Sequence, residues 1–149
     1  MSSKDATSGI HLWLVLWKAY AALQRHALSS IAELGLGLSD FGVLESLLHK
    51  GPLPVNTIGA KVNLTSGSIS VAVDRLENRG WVERMNDPDD RRTRLVRLTP
   101  EGREIIERAF TRHAGAMELA ASGLTKRERA QAIALLKKLG GKAGELLPR

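Results

Sequence analysis

Four arginines, Arg91, Arg92, Arg94 and Arg97, fall within seven positions, and shortly before them three serines, Ser66, Ser68 and Ser70, stand at alternate places. A guanidinium is a permanently charged, planar donor matched to phosphate oxygens and to base edges. A hydroxyl on a thin helix can donate to or accept from a base without holding the helix away from it. No nucleophile with a paired base, phosphate-cradling loop or metal-ligand set accompanies them. The chemistry on offer is therefore recognition of a polyanion rather than turnover of a substrate.

The surrounding residues supply the elements that must present these side chains. From Val82 to Thr99 charged and apolar residues alternate at both ends of a run of turn-formers, Asp87-Pro88-Asp89-Asp90, which predicts two antiparallel strands with a basic tip. Upstream, about Val55 to Lys61 reads as a short helix and Val62-Asn63-Leu64 as a turn, with Asn63 suited to a left-handed backbone. Thr65 then caps a further helix that ends at Gly80. At about 100° per residue, Ile69, Ala72, Val73 and Leu76 form its buried stripe, while Gly67, Ser70, Val71, Asp74 and Asn78 face away, with Ser66 and Ser68 at its start.

Helix, turn, helix and hairpin make a winged helix-turn-helix, and the reader occupies about residues 39–98. Its candidate DNA contacts are Ser66, Gly67, Ser68, Ser70 and Val71 on the helix, Arg75 on its flank, and Asp90, Arg91, Arg92 and Arg94 on the hairpin. Arg92 is the choice for a minor-groove finger, with Asp90 orienting it through a charge-assisted hydrogen bond. Arg91 and Arg94 are expected to meet phosphates. Arg75 has two readings, a phosphate contact or an internal pair with a nearby acid such as Asp74 or Glu77. A solvated basic hairpin is the plainer alternative for the arginines, and their place directly after a two-helix reader decides for DNA.

Flanking helices frame the reader. From Ile10 to about Leu34 the chain is rich in helix formers, and Leu12, Trp13, Leu14, Val15, Leu16, Trp17 and Tyr20 leave the first half without a polar face. Such a helix must be covered on every side, so part of it is expected to pack on a second copy. The next helix is expected to begin at Ser39 as N-cap, to bury Phe41, Val43, Leu44, Leu47 and Leu48, and to stop at Gly51-Pro52. Thr99-Pro100 opens a long helix to about Ala121, and Thr125 with Glu128 forms a capping box for a last helix that Gly140-Gly141 should break or fray. The expected fold is mainly α with a small β-hairpin wing, one domain over residues 1–149, with dimerisation helices at about 8–35 and 99–147.

Composition narrows the classes. The chain has 149 residues, 43% of them hydrophobic, and a formal net charge of +6, which favours a polyanionic partner. That charge is not concentrated in the reader: residues 50–97 hold nine bases and six acids, residues 125–149 seven and two. There is no cysteine, which excludes disulfides, thiolate zinc sites and a thiol switch and points to the cytoplasm. The histidines His11, His26, His49 and His113 show no metal-type pairing, and no cofactor is expected. The apolar run from Ile10 to Trp17 resembles a signal peptide, but Lys18 and the continuing helical pattern argue against one, and its length falls short of a membrane span.

These residues match a known pattern, and the chain resembles the MarR family of transcription regulators over essentially its full length. The most specific match is Asp90, Arg92, Leu98 and Thr99 in the wing, followed by Pro100-Glu101-Gly102. Val73-Asp74-Arg75-Leu76-Glu77 and Gly80-Trp81-Val82-Glu83-Arg84 match the recognition helix running into the wing. Phe41-Gly42-Val43-Leu44-Glu45 and Ser66-Gly67-Ser68-Ile69 look like the branch of repressors that respond to quinones and phenols. The resemblance implies a homodimer on a palindromic double-stranded operator, released by a small aromatic or phenolic effector bound between the dimer layer and the reader. Beside the first helix, Trp17, Tyr20, Phe41 and His49 are the candidates to line that pocket, although aromatic stripes at helical spacing are more often core. Gly59 departs from the alanine usual in relatives, and Val71 from the polar or basic residue many of them carry.

Overall fold

The computed structural model describes residues 5–149; of the expected domain, residues 1–4 lie outside the described residues. Helix α1 runs Gly9–Ile31 and is capped by Ser8, whose side chain accepts from the His11 N–H. It ends three residues earlier than its composition indicates, because Ala32–Leu34 tighten into a 3-10 turn that Gly35 closes at φ 65°, a conformation suited to glycine. Helix α2 spans Leu38–Lys50 with Gly37, not Ser39, as its N-cap. Ser39 lies inside the first turn instead, and Asp40 beside it places a carboxylate at the positive end of the helix.

After the two-residue strand β1, Leu53–Pro54, come α3, Val55–Lys61, and α4, Ser66–Asn78. Asn63 takes φ 56° between them, as the turn required. The Thr65 side chain caps α4 by accepting from Ser68 N–H at 3.2 Å. The two helices meet closely, since a Cβ added at Gly59 would lie 3.2 Å from the Ile69 side chain.

Strands β2, Val82–Asn86, and β3, Arg94–Leu98, pair antiparallel with Val82 opposite Leu98 and Asn86 opposite Arg94. The hairpin is not alone: β1 adds to the other edge of β3, giving the order β1-β3-β2. Pro54 stands on that outer strand, where a missing N–H costs nothing to the ladder.

Helix α5, Pro100–Ala120, is capped by Thr99, and α6, Lys126–Glu145, by the capping box of Thr125 and Glu128. α6 passes through Gly140 and Gly141 without breaking. Each glycine costs about 1 kcal/mol relative to alanine, and a capped 20-residue helix withstands that cost. Gly102, in the first turn of α5, lies so near the main chain of Trp81 that a Cβ would stand 1.9 Å from its carbonyl oxygen.

One core joins these elements. Ile31, Phe41, Val43, Leu44, Leu47, Ile58, Ile69, Ala72, Val73, Leu76, Val82, Val96 and Ile106 are buried together, with Leu48 partly buried against them. α1 packs chiefly along α5, whereas α6 makes no extended contact with any element and buries no residue. Trp13, Trp17 and Tyr20 on α1 and Leu135 on α6 are 57–66% exposed. Between α1 and α6 lies an open apolar groove of about 290 Å3, lined by Leu12, Trp13, Leu16, Leu136, Leu139 and Gly140. Among the described residues, no single helix is long and apolar enough to cross a membrane.

Candidate DNA interface

The N-terminal half of α4 projects from the core because its apolar stripe, Ile69, Ala72, Val73 and Leu76, is wholly buried. Ser66, Gly67, Ser68 and Val71 are exposed and Ser70 is half-buried. The Thr65 hydroxyl donates to Ser68 Oγ at 3.0 Å, and Ser70 Oγ donates back to the Ser66 carbonyl at 3.1 Å. Ser70 therefore offers a base its lone pairs rather than its proton. Thr65, Gly67, Ser68, Val71 and Arg75 line an open concavity of about 560 Å3 along this surface.

Arg75 forms an internal ion pair, but with neither acid of its own helix. Its Nε and Nη2 reach the two carboxylate oxygens of Asp40 at 2.9 and 2.8 Å, a two-pronged fork onto α2. The side-chain hydrogen bond to Asp40, and then its charge, hold the guanidinium above the ordinary arginine value. Asp40 is buried while Arg75 stays half-exposed, so Nη1 remains available to a phosphate. One turn further, Arg79 donates to the carbonyls of Leu34 and Gly35 at 2.6 and 3.4 Å and lies 4.7 Å from the Trp81 ring centre. Arg75 thus ties α4 to α2, and Arg79, just past the end of α4, ties it to the α1–α2 connection.

At the wing tip the structure corrects the role of Asp90. Its carboxylate accepts from the Arg92 main-chain N–H and from the Thr93 hydroxyl, each at 2.9 Å, and does not hold the Arg92 guanidinium. The spacing that made a side-chain pair plausible closes an Asx turn instead, because the main-chain donor two residues on is nearer than the end of a long side chain. The Arg92 N–H, and then Thr93, keep Asp90 below its ordinary carboxylate value. Asp89 N–H donates to Asp87 Oδ1 at 2.9 Å, so the tip is a sequence of such turns. Arg91, Arg92 and Arg94 are exposed and enter no ion pair among the described residues, whereas Arg97 pairs across the hairpin with Glu83 at 2.7 Å.

The residues expected to face an effector separate in the single chain. Trp17 and Tyr20 are exposed on α1, with Trp17 stacked on Trp13 at 6.3 Å. Phe41 is buried, its ring 5.0 Å from that of His113, and His49 lies 4.6 Å from the Phe110 ring. His49 opens onto a groove shared with Gly42, Glu45 and Lys61 that holds none of the other three.

Comparison with known proteins places this architecture. The MarR family model matches residues 36–93, the span from α2 through the wing tip. The uncharacterized HTH-type transcriptional regulator YkoM of Bacillus subtilis is 32% identical over 148 residues, 99% of this chain and 96% of that protein. The chain belongs to the MarR family. A mutant MarR from E. coli, solved in complex with operator DNA, superposes with a TM-score of 0.79 at 26% identity, over 92% of this chain and 99% of that one. BpsR of Bordetella bronchiseptica, whose DNA binding is regulated by 6-hydroxynicotinic acid, superposes equally well, with a TM-score of 0.79 at 25% identity over 94% and 98% of the two chains.

This MarR-family chain is thus a transcriptional regulator with a DNA-binding fold, α3–α4 being its helix-turn-helix and β2–β3 its wing. Three residues without an assigned part in the sequence reading shape the interface: Asp40, Arg79 and Arg84. Arg84 stood within the matched stretch from Gly80 to Arg84, the only signal that could have drawn attention to it. Asp40 and Arg79 act across 35 or more positions of sequence, and no local pattern marks them.

Proposed function

We propose that the chain works as a homodimeric, ligand-responsive repressor, a single MarR-type unit over residues 1–149. It reads a near-palindromic operator with the α4 helices of two copies in successive major grooves and the wings in the flanking minor grooves. What supports this reading above all is the pairing, in one chain, of a reading surface and of helices left uncovered. Ser66, Ser68, Arg91, Arg92 and Arg94 reach outward without mutual ion pairing, while Trp13, Trp17 and Leu135 stand in water for want of a neighbour. A second copy laid along α1, α5 and α6 supplies the neighbour and sets two readers at a fixed spacing. DNA as partner places the protein in the cytoplasm, and no cofactor enters the scheme.

Release follows from a small aromatic or phenolic effector seated beside α1. Of its candidate lining, Trp17, Tyr20 and His49 are exposed in the single chain, His49 in a groove apart from the other two, whereas Phe41 is already packed in the core. The tethers from Arg75 to α2 and from Arg79 to the α1–α2 connection offer a mechanical route from that site to α4. A coupling free energy of about 1 to 3 kcal/mol suffices to lower operator affinity by roughly 5- to 150-fold. The test is footprinting of the DNA beside the chain's own gene, with and without a panel of phenols and quinones, alongside the mass of the free protein in solution. Protection of two half-sites by a dimer, lifted by one of the compounds, is the expected result. A monomer that protects no DNA sinks the proposal.

A further inference from the structure

Helix α4 carries two carboxylates on or beside the surface that approaches DNA, Asp74 at 61% side-chain exposure and Glu77 at 42%. Beside a phosphate backbone each opposes binding, and the pattern of the helix gives no reason for them. Both converge on one cation. Arg84, in the middle of β2, places Nη2 2.8 Å from Asp74 Oδ1 and Nη1 3.0 Å from Glu77 Oε1. Nη2 also donates to the Ser70 carbonyl at 3.3 Å, and the Arg84 main-chain N–H donates to Glu77 Oε2 at 3.1 Å. Its side chain is 22% exposed, against 47% for Arg97 on the neighbouring strand, so this guanidinium faces the helix rather than water.

We propose that Arg84 is a positioning residue for DNA recognition: it offsets half of the charge of Asp74 and Glu77 and latches the first wing strand to α4, so that an acidic helix can enter the groove beside its wing. The inference rests on the DNA-reading assignment and adds a residue that itself touches no base. Four contacts to one helix, three of them from a planar fork, fix the wing relative to Ser70, the innermost of the three serines. Without the cation, two anions remain where phosphates must come, and their repulsion is felt most at low salt.

The test uses a duplex selected from a random library by the unmodified protein, with affinity measured across a series of KCl concentrations. Arg84→Met is expected to lose at least about tenfold in affinity at low salt, with a deficit that shrinks as salt rises. Asp74→Asn with Glu77→Gln, keeping Arg84, is expected to do the reverse, binding more tightly with a slope of log K against log salt steeper by about 0.9 for each additional phosphate neutralised. Combining all three changes removes every charge of the cluster, so the salt-dependent part of the Arg84→Met deficit should vanish, and the loss that remains at all salt concentrations measures the latch. The proposal is overturned if Arg84→Met leaves affinity and slope unchanged, or if the triple variant keeps the salt-dependent deficit of Arg84→Met. Should Arg84→Met fail to fold, judged by circular dichroism, the Asp74/Glu77 pair decides alone, and an unaltered slope there refutes the idea. Failure of the unmodified protein to select any duplex would instead remove the DNA-reading assignment on which the inference stands.

Discussion

The reader and the flanking helices use similar apolar residues to opposite ends. In α4, Ile69, Ala72, Val73 and Leu76 are all wholly buried, and the wing contributes Val82 and Val96 to the same core. In α1 and α6, Trp13, Trp17, Tyr20, Ile133 and Leu135 are more than half exposed. The reader is closed on itself, saturated in packing and laced by forks from Arg75, Arg79 and Arg84. The helical layer is open, a surface whose free energy is lowered only when something covers it, at about 25 cal/mol per Å2 of apolar area removed from water. On the proposed reading, the part that meets the operator is packed in the single chain, and the part that spaces two such readers is completed from outside.

The comparison predicts different kinds of damage. Breaking the open layer should cost most in DNA binding: Trp17→Glu with Leu135→Glu is expected to leave folded monomers and to weaken operator affinity on the order of a hundredfold or more, through loss of the linked second half-site. Sedimentation and a gel-shift titration read both effects, and a dimer of undiminished affinity would mean that these faces are covered by something else. Breaking the closed reader should cost stability instead. Leu76→Ala, removing a wholly buried side chain, is expected to destabilise by about 3 kcal/mol in thermal or urea unfolding. A loss under 1 kcal/mol would contradict the packing described.

Arg92→Ala disturbs neither the packed interior of the reader nor the helical layer, because the side chain is exposed at the wing tip. Its expected cost is about 2 kcal/mol in operator binding, with mass and melting temperature unchanged. Equal affinity for the variant would remove Arg92 from the groove. The smallest effect concerns pH. Because Asp90 is held below its ordinary value of 3.8 by the Arg92 N–H and the Thr93 hydroxyl, its support of the wing turn is complete above that value and disappears as pH falls below it through the depressed one. Amide resonances of Arg92 and Thr93 should report the loss in that acidic window and stay constant in Asp90→Asn. Movement of these resonances around neutrality would trace to another group.

What the sequence made legible was local. Thr65, Thr99 and the Thr125–Glu128 box announce helix starts through side chains that reach three residues, and Asn63 announces a turn through its own backbone preference. The four-residue stripe of α4 appears in the structure without exception, because helical periodicity and burial are the same fact seen twice. Partner choice was not legible. Arg75 passes over Asp74 and Glu77, next to it in sequence, for Asp40 on another helix, and Arg84 takes both neglected acids. A three-dimensional arrangement decides which carboxylate lies within reach, and charge pattern alone leaves several. Strand β1 escaped notice for another reason: two residues that add to an edge carry no period. Gly140 and Gly141 misled because propensity is a small term beside a capped helix of twenty residues.

Gly102 has a mechanical consequence. Where α5 crosses the root of the hairpin, main chain lies against main chain, and Thr99 pins the crossing with an N–H donated to the Trp81 carbonyl and a hydroxyl donated to that of Gly80. No side chain sits in that joint to absorb a small rotation by changing rotamer. A twist of α5 therefore meets main chain, not a yielding side chain, at the root of the hairpin.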